Sequence, residues 1–178
     1  GVGTNGGSLS FQVSENNWLG RGIRLSSFVD ASQDRFKGQI NVTQPNYKFT
    51  GNSLNYFASS TATDAKDTSG YKNNLINLGV GTSFEQYRNI YLSPALALTY
   101  DDLKVQKTAS KSMQKQAGAF TDLAFSYGIT TDLRDRSFMP TDGYRSQFSQ
   151  TIPVYADSPY IKNSFTHSVY QSFGKDII

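Results

Sequence analysis

Apolar residues recur at every second position along most of this chain, and no apolar run approaches the roughly 18 residues that a membrane-spanning helix needs. Leu123, Phe125, Tyr127 and Ile129 keep that period before one turn, and Tyr144, Phe148, Ile152 and Val154 keep it after. A period of two sends alternate side chains to opposite faces of a strand, so such a chain must fold as sheet. Gly1 to Gly3 reads as the tail of a first strand, turned by Asn5-Gly6. Leu9, Phe11 and Val13 share a face of the second, Ile23 and Leu25 belong to the third, and Phe36, Ile40 and Val42 to the fourth. The fifth holds Leu54 and Tyr56, the sixth Ile76, Leu78, Val80 and Phe84, the seventh Leu92, Leu96, Leu98 and Tyr100. The eighth and ninth flank the turn named above. A tenth runs from Lys162 to Phe173, with Phe165, Val169 and Phe173 on one face. Pro94 interrupts the seventh, and its missing N–H demands a bulge or a locally unpaired stretch.

The turn between the eighth and ninth strands is the chain's most distinctive segment. It reads Thr131-Asp132-Leu133-Arg134-Asp135-Arg136-Ser137-Phe138-Met139-Pro140-Thr141-Asp142-Gly143-Tyr144-Arg145. Pro140 and the Asp142-Gly143 pair are turn chemistry, because Gly takes positive φ cheaply and Asp tolerates it. A hairpin needs no more than that. Asp132, Arg134, Asp135, Arg136 and Arg145 add a charged, mutually pairable knot. Carboxylates paired with Arg have lowered pKa values and make poor general acids, so the knot points to structure or interaction rather than catalysis.

Composition narrows the function classes. The chain has no Cys, which excludes a disulfide framework and thiolate metal sites. His167 is the single histidine, which leaves zinc sites and histidine triads little to draw on. It is expected as a lumen or interface side chain, and neither cofactor nor metal is implied. A net charge of +3 is too mild for a nucleic-acid footprint. Mean hydropathy of −0.47 would suit a soluble protein, but a barrel evades that test because only alternate residues face lipid. The glycines from Gly1 to Gly6 fit a dinucleotide-binding pattern, yet strand-like alternation follows where a helix is required. Asn41-Val42-Thr43 fits a glycosylation sequon by chance inside a strand. No secretory signal is present, and the abrupt start in Gly1-Val2-Gly3 suggests a processed or truncated piece.

The connections alternate in character. Asn16 to Gly22, Gln44 to Ser53, Glu85 to Asn89 and the charged turn are compact, whereas Ser59 to Asn73 and Asp101 to Gln116 are long and polar. Outer-membrane barrels have short periplasmic turns and longer extracellular loops, which orients the chain. Trp18, Tyr47, Tyr87 and Phe138 all fall in the compact set, as an aromatic girdle would. Lys104, Lys107, Lys111 and Lys115 are spaced to share one helix face, which would suit phosphate groups of lipopolysaccharide; an ordinary solvated loop is the plainer expectation.

Two segments resemble signatures of the BamA family of outer-membrane assembly barrels. One is the charged stretch leading into Pro140-Thr141-Asp142-Gly143. The other is Ser8-Leu9-Ser10-Phe11-Gln12-Val13 followed by Asn16-Asn17-Trp18-Leu19-Gly20-Arg21-Gly22, similar to the family's second strand and its turn. The resemblance implies an all-β, antiparallel up-and-down transmembrane barrel of the bacterial outer membrane. Residues 1–178 would supply about ten strands of a barrel in the sixteen-strand class. Periplasmic POTRA domains, the remaining strands and an inward loop carrying a Val-Arg-Gly-Tyr/Phe motif are implied but absent from this sequence.

The resemblance further implies a non-enzymatic machine that folds and inserts barrel proteins through a lateral seam at the first strand. Here the client-strand edge would be Gly1, Val2 and Gly3, where glycines leave few side chains to pack. Implied partners are unfolded outer-membrane β-barrel clients, outer-membrane lipid with lipopolysaccharide, and accessory assembly lipoproteins, in the outer membrane of a Gram-negative cell. Alternatives are a secretion or translocation-assembly barrel of the same superfamily, and a passive porin-like barrel.

Overall fold

A computed structural model of the chain describes residues 2–3 and 6–172. Ten strands form one sheet in sequence order. They are β1 (Val2–Gly3), β2 (Gly6–Trp18), β3 (Ile23–Ser32), β4 (Arg35–Gln44), β5 (Ser53–Ala65), β6 (Tyr71–Tyr87), β7 (Ile90–Val105), β8 (Gly118–Asp132), β9 (Asp142–Tyr155) and β10 (Lys162–Gln171). Each pair of neighbours is antiparallel, so the expected up-and-down topology holds. Among the described residues helix is confined to the links: α1 (Lys66–Ser69), α2 (Lys111–Lys115) and one 3-10 turn at Tyr47–Phe49. Gly1, Asn5 and Phe173 of the sequence-based assignment lie outside the described residues.

The register sorts side chains onto two faces of opposite character. Ile40, Ala58, Leu78, Leu98 and Leu123 stand in one row of cross-strand partners, and Val42, Tyr56, Val80, Leu96 and Phe125 in another. Ser59, Asn77, Thr99 and Asp122 form a row on the other face. That second face is laced by side-chain hydrogen bonds. Thr99 Oγ1 donates to Asn77 Oδ1 at 2.8 Å, Thr43 Oγ1 to Asn55 Oδ1 at 2.8 Å, and Ser93 Oγ to Ser83 Oγ at 2.9 Å. Among the described residues no hydrophobic side chain is buried, and Leu78, Leu96 and Ile76 are 47%, 45% and 41% exposed. A sheet that turns its apolar face outward and its polar face inward has exchanged the usual solvent for lipid.

Small residues let the polar wall close up locally. The Phe57 ring lies directly over Gly79, so that a β-carbon there would overlap the ring. Pro94 is accommodated by the second of the two expected routes. The β6–β7 ladder runs from Tyr71↔Val105 to Gly81↔Ala95, skips Thr82 and Ser83, and resumes at Phe84↔Leu92. On the other side Pro94 pairs in register with Tyr127, because its missing N–H faces β6 alone.

Two expectations are corrected. The segments Ser59 to Asn73 and Asp101 to Gln116 are mostly strand: β5 extends to Ala65, β6 begins at Tyr71 and β7 extends to Val105. Polar composition there reflects strand that outruns the apolar band, not loop. Nor do the four lysines share a helix face. Lys104 sits in β7 as the cross-strand partner of Lys72 and reaches Asp102 at 3.2 Å, whereas only Lys111 and Lys115 lie on α2. Ladder hydrogen bonds to β6 hold Lys104 extended, and helical spacing alone cannot overcome them.

Candidate functional site: a charged turn and a glycine-lined first hairpin

The charged turn is a nine-position link, residues 133–141, closed at its base by backbone bonds. Leu133 N–H donates to Tyr144 O at 2.9 Å and Asp135 N–H to Asp142 O at 3.1 Å. Asp142 and Gly143 are not the turn itself. They open β9 opposite Gln171 and Tyr170, because the link needs its full length to house the charged side chains. Gly143 has φ +97, and a β-carbon on it would collide with the Leu133 carbonyl. Only glycine allows the two backbones to approach so closely.

Within the link each acidic residue has a separate task. Asp132, the last residue of β8, receives both Nε and Nη2 of Arg134, at 2.8 and 2.7 Å. This is a bidentate fork, the strongest common geometry for such a pair. Arg134 Nη1 also donates to Ser137 O at 3.2 Å, and its guanidinium lies 6.0 Å from the Tyr170 ring centroid on β10. Asp135 accepts from Thr141 Oγ1 at 2.7 Å, Thr141 N–H at 2.9 Å and Asp142 N–H at 3.2 Å. Those donors, the Thr141 hydroxyl foremost, hold its carboxyl down to about 2. Arg136 Nε stands 3.7 Å from Asp135 in an exposed pair of little energetic weight. Arg145 is the cross-strand partner of Asp132 but bonds Gln147 Oε1 at 3.4 Å. Pro140 follows Met139, which is held at φ 47.

Tyr91, Thr130, Asp132, Arg134 and Arg136 together line a recess on the polar face beside this turn. It presents two guanidinium groups and a carboxylate, of which Arg134 and Asp132 are paired with each other. No group of three or more potential metal ligands occurs among the described residues. Sequence reasoning did not identify Thr141 or Tyr170 as members of the site. Thr141 was visible only as turn filler, and Tyr170 reaches Arg134 through a strand pairing that no local pattern announces.

The first hairpin is of the opposite kind. Val2 pairs with Gly7 and Gly3 with Gly6, so three of the four paired residues are glycine. The four aromatics expected to form a girdle divide into two groups. Trp18 and Tyr87 end β2 and β6, while Tyr47 opens the 3-10 turn and Phe138 lies in the charged link, 79% exposed. His167 stands in register with Ser146, on the same face as Phe165 and Val169, and its Nδ1 lies 2.8 Å from Ser146 Oγ. The lumen position is thereby excluded for it.

The geometry matches known proteins. The sequence pattern of the Omp85 superfamily domain matches residues 17–178. The fold is similar to the crystal structure of BamA from Haemophilus ducreyi lacking POTRA domains 1–3, with a TM-score of 0.69 and 18% sequence identity. That match covers 93% of this chain and 35% of the BamA chain. The apolar outer face, the ordered up-and-down sheet and the family match agree, and the chain belongs to the Omp85 superfamily.

Proposed function

We propose that this chain is the first part of an outer-membrane barrel that folds and inserts other β-barrel proteins, using the β1–β2 region as a seam where client strands pair edge to edge. The observation that carries this reading is the glycine-lined β1–β2 contact, Val2↔Gly7 and Gly3↔Gly6. Cross-strand side-chain pairs supply much of a sheet's cohesion, and glycine contributes none. A strand held mainly by its backbone bonds exchanges partners at low cost. Backbone pairing also binds many clients without demanding one sequence.

In this reading the charged turn and the ends of β2, β4 and β6 face the periplasm. The protruding ends of β5, β6 and β7 face outside, beside the lipopolysaccharide leaflet. The recess at Arg134 and Arg136 would receive an inward-folded loop from the remainder of the barrel, and accessory lipoproteins would bind on the periplasmic side. The chemistry is conformational, with no covalent step.

A photo-crosslinker in place of Val2, in the whole protein, should capture nascent barrel proteins through their C-terminal strands. One at Leu96, on β7 and paired on both sides, should not. Equal capture at both positions, or capture at neither, removes the seam and favours a passive barrel.

A further inference from the structure

Three breaks in register occur in the described sheet, and each falls beside an aromatic residue that ends its strand. Between Glu15↔Leu25 and Trp18↔Ile23, β2 advances three residues while β3 advances two. Between Glu85↔Tyr91 and Tyr87↔Ile90, β6 advances two while β7 advances one. Between Ala124↔Pro153 and Leu123↔Tyr155, β9 advances two while β8 advances one. Trp18, Tyr87 and Tyr155 are the last residues of β2, β6 and β9.

Strand parity gives these breaks a common result. On β2 the outward residues are Leu9, Phe11, Val13 and Glu15, so an unbroken strand would point Trp18 into the lumen. On β6 they are Ile76, Leu78, Val80 and Phe84, so Tyr87 would also point inward. On β9 they are Phe148, Gln150 and Ile152, which would send Tyr155 inward too. In every case the extra residue reverses the face. Trp18 comes to lie opposite Ile23, Tyr87 opposite Ile90 and Tyr155 opposite Leu123, all on the apolar side. A bulge re-aims a side chain in just this manner and is common at barrel rims. Two of the bulges are tied down by glutamate. Glu15 Oε1 accepts Asn17 N–H at 2.8 Å, and Glu85 Oε1 accepts Asn89 N–H at 2.8 Å.

We propose that the three bulges are membrane-positioning devices that turn Trp18, Tyr87 and Tyr155 outward to bind the boundary between lipid headgroups and acyl chains. Ring and polar tip together suit that boundary, where one end is apolar and the other wet. The three are 43%, 71% and 61% exposed. Their distribution selects lipid over a protein partner. Trp18 and Tyr87 share one rim, with β2 and β6 separated by roughly 20 Å at the usual strand spacing, and Tyr155 lies toward the other rim. A protein partner covers a contiguous patch, whereas lipid surrounds the wall. The proposal is independent of the seam, since a passive barrel would need the same anchors.

Trp18 is the only tryptophan of this chain, which makes it its own probe. The whole protein, with any tryptophan outside this chain replaced by phenylalanine, is reconstituted in phosphatidylcholine vesicles. The lipids are brominated either near the carbonyl end or near the methyl end of the acyl chains. Trp18 should lose most of its emission to the shallow bromines and less to the deep ones. In the exchanged variant Asn17→Trp with Trp18→Asn, the probe should escape quenching, although regular alternation from Glu15 would point position 17 outward. The same contrast is expected between Tyr87→Trp and Gln86→Trp in a Trp18→Phe background, with position 87 quenched and position 86 spared. Quenching at 17 and 86 but not at 18 and 87 overturns the proposal, as does equal quenching within each pair or none at any position.

Discussion

Arg134 grips both carboxylate oxygens of Asp132, at 2.8 and 2.7 Å, across a two-residue interval at the end of β8. The same guanidinium reaches Ser137 O and lies over Tyr170, so one side chain joins the strand end, the link and β10. Arg134→Lys keeps the charge but loses the planar fork. In the whole protein Arg134→Ala should reduce client assembly severalfold, measured as the folded fraction of newly made barrel proteins, and Arg134→Lys should recover only part. The mutant's own insertion, read by its heat-modifiable gel mobility, should change less. Equal loss of insertion and assembly would reduce the fork to a folding element.

Asp135 gives the turn a defined acid limit. Its carboxyl is held at about 2 in the fold against an ordinary 3.8. Because the folded value is the lower one, its contribution to stability is complete above about pH 4 and fades as pH falls toward about 2. Proteolytic nicking of residues 133–141 in detergent-solubilised protein should therefore be constant from neutral pH to about 5, then rise below 4. In Asp135→Asn that rise should be smaller, since only the Asp132–Arg134 fork is then left to protonate. An identical acid profile in the variant contradicts the assignment.

Gly143 is a steric requirement. Gly143→Ala places a methyl group against the Leu133 carbonyl at φ +97. Strain of this kind costs on the order of 1–3 kcal/mol before the collision is counted. The variant should unfold at lower urea concentration than wild type, whereas Gly7→Ala, with nothing within 4 Å of the added carbon, should cause much less change. Equal shifts would contradict the close approach.

The proposed orientation rests on which rim protrudes. Protease applied outside intact cells should cut within 106–117, the link that carries α2, and spare 19–22 beside Trp18. Cleavage confined to 19–22 would invert the assignment.

Much of this was legible in the sequence because the signal is local. Leu78, Val80, Leu96 and Leu98 keep period two through strands long enough to cross a bilayer, and the register confirms their shared face. The charged turn was legible as a knot, but the division of labour inside it was not. Asp135 bonds Thr141 across the link, and Arg134 meets Tyr170 from a strand three dozen residues on. The ends of β5 and β7 were misplaced because polar residues at a protruding strand end have the composition of loop. The bulges were invisible for a related reason: a one-residue slip leaves the alternation on both sides intact.

The central claim is that the apolar rows face lipid and the polar rows a watery lumen. Nitroxide labels placed singly along β6 from Leu75 to Gly81, in the whole protein in vesicles, test it most directly through collision with oxygen and with a water-soluble nickel chelate. Labels at Ile76, Leu78 and Val80 should favour oxygen, and those at Leu75 and Asn77 the chelate, with a period of two; Gly79 is left unlabelled because the Phe57 ring fills the space over it. Uniform access to the chelate at all positions, or the inverse alternation, would contradict the account.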